Sequence, residues 1–193
     1  DVLGTAPGRR NPTEKMICHS TGSDLLRMMR SGKVTCEFVV KSFVARATHP
    51  IVTRLNATTE ELFAGAIDRA REIDKMRKRP DHKIEDEPPL LGLPISIKSQ
   101  YTQQGCHSDC GLGVRLLQDP ESEDGLLVSA LVRAGAIPFV RTNVPQGLLV
   151  AGAAGRLGLE RVETGEVGDA GLAGLHQITS NSARRARAPS PVI

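Results

Sequence analysis

Tryptophan is absent, tyrosine occurs once and phenylalanine four times in this chain of 193 residues. So sparse an aromatic complement leaves no platform on which the bases of a single-stranded nucleic acid could stack. A dominant charge is lacking as well. The 25 Lys and Arg residues against 22 Asp and Glu give a net charge of +3, too little to imply a polyanionic partner. No apolar run approaches the ~20 residues of a membrane-spanning helix, and the opening "DVLGTAPGRRNPTEK" has no apolar centre of the kind a secretory signal carries. The expectation is an intracellular chain, soluble as given, with no nucleic-acid partner. Because the first residue is Asp rather than Met, an upstream anchor stays open, and with it peripheral membrane contact of the full-length protein.

Cysteine is scarce too, at Cys18, Cys36, Cys106 and Cys110. Without a secretory signal these thiols are expected to stay reduced. "CHSDC" sets His107 between Cys106 and Cys110, which could supply part of a zinc shell. Structural zinc sites usually show paired short spacings at both ends of a finger, and here the second half would have to come from distant Cys18, His19 or Cys36. Metal binding is not expected.

What the chain does have is aliphatic residues in periodic order. "GSDLLRMMRSG" reads as a short helix with Ser23 as N-cap, apolar Leu25, Leu26, Met28 and Met29, and Gly32 as its stop. "TCEFVVKSFVARATHP" starts a second helix from Thr35, with Phe38, Val39, Phe43 and Ala47 on one stripe and Pro50 ending it. The third, "NATTEELFAGAIDRAREIDKMRKR", reads as a helix with a Thr58/Glu61 capping box and Leu62, Ala66, Ala70 and Ile73 at helical intervals. Its basic residues, Arg69 to Arg79, alternate with Asp68, Glu72 and Asp74, so a solvated face with ion pairs is expected rather than a nucleic-acid surface.

After the polar, proline-bounded "PDHKIEDEPP" the character changes. "LPISIK" reads as a strand, "LLVSALVRAG" as a helix with Leu127, Leu131 and Ala134 on one face, and "AIPFVRTN" as a second strand. Pro138 confines that strand to an edge, an end or a bulge. Strand, crossover helix and strand make a βαβ unit with parallel pairing. Alternation in the first strand sends Ile95 and Ile97 to one face, Ser96 and Lys98 to the other. Lys98 then has two readings. It is a strand-edge guard against sheet association, or an amine whose pKa apolar surroundings lower until it can accept a proton near neutrality.

The stretch "LLGLPISIKSQYTQQGCHSDCGLGVRLLQDPESEDGLLVSALVRAGAIPFVRTNVPQ" resembles the amidase signature family, and within it the fatty acid amide hydrolases. The pattern carried over is a strand ending in Lys, a Gly-bearing loop, an acidic stretch before a helix, and "AGA" leading to "TN-P"; "LNATTEELFAGAIDRAREID" fits the helical part. The likeness covers roughly residues 20 to 146. It implies an α/β fold in which N-terminal helices precede a βαβ unit, part of a mixed-sheet α/β/α domain that is incomplete in this chain. It also implies a serine hydrolase of carboxylic amides, fatty acid amides above all. In such an enzyme a neutral Lys, matching Lys98, draws a proton from a bridging Ser in a cis peptide, which draws one from the nucleophilic Ser. The implied partner is a small-molecule amide in the complete enzyme, with no metal and no organic cofactor required.

Family members carry both serines in a Gly/Ser-rich segment after "TN-P", and none is present here. Ser180 and Ser182 in "TSNSARR" lack the flanking glycines that let a backbone approach an oxyanion, so neither is taken as the nucleophile. Residues 147 to 193 read as a divergent, poorly ordered Gly/Ala-rich tail, and the chain alone is expected to be inactive. Two alternatives stay open. The helical half could be a non-catalytic interaction module that forms a homodimer, or Gly152, Gly155 and Gly158 could form a dinucleotide-binding turn, although the later glycines leave Asp169 without a strand.

Overall fold

A computed structural model describes residues 12–148. Gly152, Gly155, Gly158, Asp169, Ser180 and Ser182 lie outside the described residues, as does all but the start of the expected tail. Helices and one short strand come first: α1 (Pro12–His19), α2 (Gly22–Arg30), α3 (Cys36–Ala47), α4 (Pro50–Arg54), β1 (Thr58–Glu61) and α5 (Phe63–Arg77). The βαβ unit comes next as β2 (Pro94–Lys98), α6 (Leu126–Arg133) and β3 (Ile137–Thr142).

The N-cap of α2 is Thr21, not the expected Ser23. The Thr21 hydroxyl accepts from Asp24 N at 3.1 Å and donates to the Asp24 carboxylate at 2.6 Å, a reciprocal arrangement that Ser23, already inside the helix, cannot make. Leu25 and Met29 are the residues this helix buries. Thr35 caps α3 as expected, accepting from Phe38 N at 3.1 Å. A second cap comes from α5: the Asp74 carboxylate accepts from Cys36 N at 2.8 Å and Glu37 N at 2.9 Å. Pro50 does not end α3, which stops at Ala47; it opens α4, where a residue without an N–H costs nothing.

The expected capping box at Thr58 and Glu61 is replaced by a strand. Thr58 stands opposite Thr142 and Glu61 opposite Val140 in an antiparallel pairing of β1 with β3. Leu62 N then donates to Phe139 O at 3.0 Å, and α5 starts only at Phe63. Sheet pairing satisfies backbone groups that a helix N-terminus leaves open, so tertiary pairing wins over local propensity. From there Ala66, Ile67, Ala70 and Ile73 are buried.

Strand order is β1-β3-β2, with β2 and β3 parallel and β1 antiparallel, so the sheet is mixed. Pro138 lies in the central strand, and a bulge accommodates it: Ile95 pairs with Pro138 but Ser96 pairs with Val140, so β3 carries an extra residue where the missing N–H falls. On α6 the buried residue is Val128, whereas Leu127 is about half exposed and Leu126 more so. Leu131 of the expected stripe does pack against the core, with Val128 taking the place of Leu127.

Phe139, wholly buried, has its ring centroid 6.2 Å from both Phe43 of α3 and Phe63 of α5. Around this trio the core is aliphatic and continuous from Ile17 to Val140. Each such side chain taken out of water contributes about 1.5–3 kcal/mol.

The stretch read as a polar linker is anchored. Glu87, its side chain fully buried, pairs with Arg77 at 2.6 and 2.8 Å, with His82 at 3.0 Å and with Arg30 at 3.6 Å. Burial acts to raise the pKa of Glu87, but the hydrogen bonds and charge of Arg77, with His82, outweigh it and the carboxyl titrates below its ordinary range. Among the described residues no helix is long and apolar enough to cross a membrane.

Candidate functional site at the carboxyl ends of the parallel strands

In open α/β sheets, ligands bind beyond the carboxyl ends of parallel strands. Here those ends are Lys98 of β2 and Thr142 of β3, which are register partners. Leu93, Ile95, Ser96 and Ile97 are all buried, the two-sided burial that a parallel strand shows. Lys98 alone emerges exposed. Its ammonium has no hydrogen bond or ion pair among the described residues, which leave it exposed.

The chain after Lys98 is held by side chains that sequence reasoning did not single out. Arg141, fully buried in β3, gives hydrogen bonds to Ser99 O at 2.9 Å, Tyr101 O at 2.9 Å, His107 O at 3.0 Å and Gln103 Oε1 at 3.3 Å. Its Nε lies 3.1 Å from Glu60 Oε2 of β1, an ion pair without hydrogen-bond alignment. Glu60 also accepts from His107 N at 3.0 Å and stands 3.1 Å from His107 Nδ1. Asp109 accepts from Ser99 Oγ at 2.9 Å and Gly111 N at 2.7 Å. An Arg inside an otherwise apolar strand, "FVRTN", was the available signal, since a buried charge demands partners.

Asn143, of the "TN-P" motif, is tied back to the helical half. Its N–H donates to Ala57 O at 2.9 Å and its side-chain amide donates to Asn56 O.

The cysteines are not gathered. Cys106 is buried, and its thiol pKa is raised by burial and by the charge of Glu60. Cys18 Sγ donates to Ser42 O at 3.4 Å. Cys36 Sγ accepts from Arg77 at 3.1 Å; burial first, then Asp74, push the thiol up to about 12 against the opposing charge of Arg77. Among the described residues, no group of three His, Cys, Asp or Glu could hold a metal ion.

Comparison with known proteins bears on this geometry. A family model described as Amidase matches residues 39–158. Fatty-acid amide hydrolase 2-A of Danio rerio is 34% identical over 141 residues, covering 70% of this chain and 26% of that protein. An acetamidase of Emericella nidulans is 31% identical over 144 residues, covering 74% of this chain and 25% of that protein. A solved structure of fatty acid amide hydrolase superposes with a TM-score of 0.65 at 27% identity, over 72% of this chain and 24% of that one. The chain thus spans about a quarter of the length of the relatives it matches.

Proposed function

Since the chain belongs to the amidase family, we propose that it is the N-terminal portion of an amidase acting on carboxylic amides, fatty acid amides in particular, and that Lys98 is its proton acceptor. The observation that carries this reading is the emergence of Lys98, alone exposed, from a buried parallel strand. A neutral amine there takes the proton of a bridging hydroxyl, which takes that of the nucleophile. The nucleophile's oxygen bonds to the carbonyl carbon, the C–N bond breaks, and the proton held by the amine passes through the bridge to the leaving nitrogen. Water then releases the acid and restores the hydroxyl.

The two hydroxyls belong to a Gly/Ser-rich segment that this chain does not carry, so the chain alone is proposed to be inactive. The tail beyond Gln146 is assigned no part in the chemistry. Relatives named for acetamide and for fatty acid amides both align with this portion, and the fatty acid preference is inferred from the likeness in fold and motif to the fatty acid amide hydrolases.

Joining residues 1–146 to the remaining three-quarters of the Emericella nidulans acetamidase tests the reading. The chimaera is expected to release ammonia from a primary amide and to lose about 10²–10⁴ of its kcat on Lys98→Ala, the contribution of a positioned general base. Turnover that survives the substitution refutes the role of Lys98. Turnover by the unjoined chain, sensitive to Lys98→Ala, refutes its proposed inactivity.

A further inference from the structure

We infer that Arg141 is a positioning residue for Lys98, acting by fixing the backbone that leaves β2; the inference rests on the reading of Lys98 as a proton acceptor. Arg141 is the largest side chain of the described residues to be wholly buried, in a position where a charge is costly unless it is fully engaged. Every acceptor of its guanidinium hydrogen bonds lies on one loop: Ser99 O, Tyr101 O, Gln103 Oε1 and His107 O. That loop begins at the residue after Lys98. Arg141 also pairs in register with Ile97, so its backbone braces the end of β2 while its side chain braces the loop beyond that end.

A planar, five-donor fork suits this task, because it reaches acceptors in several directions from a fixed plane. A Lys ammonium at the same place would concentrate its donors at one point and leave some of these carbonyls unpaired. The charge is balanced from β1, where Glu60 approaches Nε and takes the His107 N–H on its other oxygen. A second brace is independent of the first: Asp109 accepts from Ser99 Oγ and from Gly111 N. The far side of the loop is tied by Gly105 N to Glu121 O and by Glu121 N to Cys106 O, both at 2.8 Å. Lys98 is left with no side-chain partner among the described residues, so the backbone on either side of it is what sets the direction of its amine.

The test uses the full chain with lysines reductively methylated by ¹³C-formaldehyde, the Lys98 resonance being assigned by its loss in Lys98→Ala. Arg141→Lys is expected to shift that resonance. It should also speed exchange of the Tyr101, Gly105 and Cys106 amides by about tenfold or more, the ratio for losing one hydrogen bond to a charged group, with α3 and α5 amides unchanged. If Arg141→Lys does not fold, Glu60→Gln keeps the four acceptors of the Arg141 guanidinium, removes the counter-charge and leaves one oxygen to serve either Arg141 Nε or His107 N; a smaller change in the same two readouts is then expected. An unmoved Lys98 resonance, or exchange that rises equally in α3 and α5, overturns the inference by reducing Arg141 to a general stabiliser. Neither readout involves turnover. A Lys98 that proves not to be a base therefore appears in the chimaera alone, and a failure of Arg141 appears here alone.

Discussion

Replacing Gly135 by Ala should destabilise the chain far more than replacing Gly32, although both glycines have positive φ. Gly135 joins α6 to β3 with φ +92°, and a Cβ there would stand 2.7 Å from Leu91 Cα and 2.9 Å from Leu91 N. Those are backbone atoms. They cannot recede freely, because Leu90 N donates to Ala134 O at 2.8 Å and Gly92 N to Gly135 O at 2.9 Å, lacing the approach to β2 against the approach to β3. Gly32 has φ +71° and nothing within 4 Å of its would-be Cβ, so it isolates the cost of the dihedral. That cost is about 1–2 kcal/mol for an L-residue in the left-handed region, and overpacking at Gly135 adds about 1–3 kcal/mol. With a urea m-value of about 2 kcal/mol/M, the midpoint should fall by about 0.5–1 M for Gly32→Ala and about 1–2.5 M for Gly135→Ala, monitored by circular dichroism at 222 nm. Equal losses for the two variants would refute the argument that close approach of Leu91 is what requires glycine at 135.

Glu87→Gln leaves Arg77, only 12% exposed, without its counter-charge and should cost about 3–5 kcal/mol in urea unfolding, the usual penalty for breaking a buried pair; a loss under 1 kcal/mol would show the pair to be solvated. Because the folded-state pKa of Glu87 is lowered from 4.5, the stability it adds is complete above pH 4.5 and lost as the pH falls towards the folded value. The thermal midpoint of the wild type should therefore drop more steeply below pH 4.5 than that of Glu87→Gln, and parallel curves would contradict the sign. Cys36, buried and pushed up to about 12, should resist iodoacetamide at pH 8 until urea unfolds the chain, as mass spectrometry would report. Lys98→Ala, at an exposed position without a partner among the described residues, should change stability by no more than about 0.5 kcal/mol; a larger loss would mark Lys98 as a structural residue rather than a reactive one.

Local patterns were legible where the neighbouring sequence carries the physics. Thr35 announces its helix, and the β2–α6–β3 crossover announces parallel pairing, because periodicity and caps act within a few residues. The family likeness likewise rests on contiguous motifs. What escaped was decided by partners far along the chain. "TTEE" reads as a helix start until β3 arrives to pair with it, and Glu87 reads as linker until Arg77 and Arg30 close over it. Arg141 sat in plain view within "FVRTN", yet its acceptors are mostly backbone carbonyls, which carry no residue signature. Lys98 was legible as a candidate; its exposure was not, since alternation predicts which face a side chain takes but not what else covers that face.

Among the described strands, the order β1-β3-β2 puts the last-synthesised one in the middle. Until residues 137–142 leave the ribosome, Thr58–Glu61 and Pro94–Lys98 lack the strand they share as partner, and joining β1 to β3 closes a loop of about eighty residues. The helical half can collapse early through local contacts, whereas the sheet waits on a long-range closure that is intrinsically slow. A nascent chain that stalls before Ile137 would therefore present two orphaned strand edges to its surroundings, and chaperone dependence should centre on that interval of synthesis.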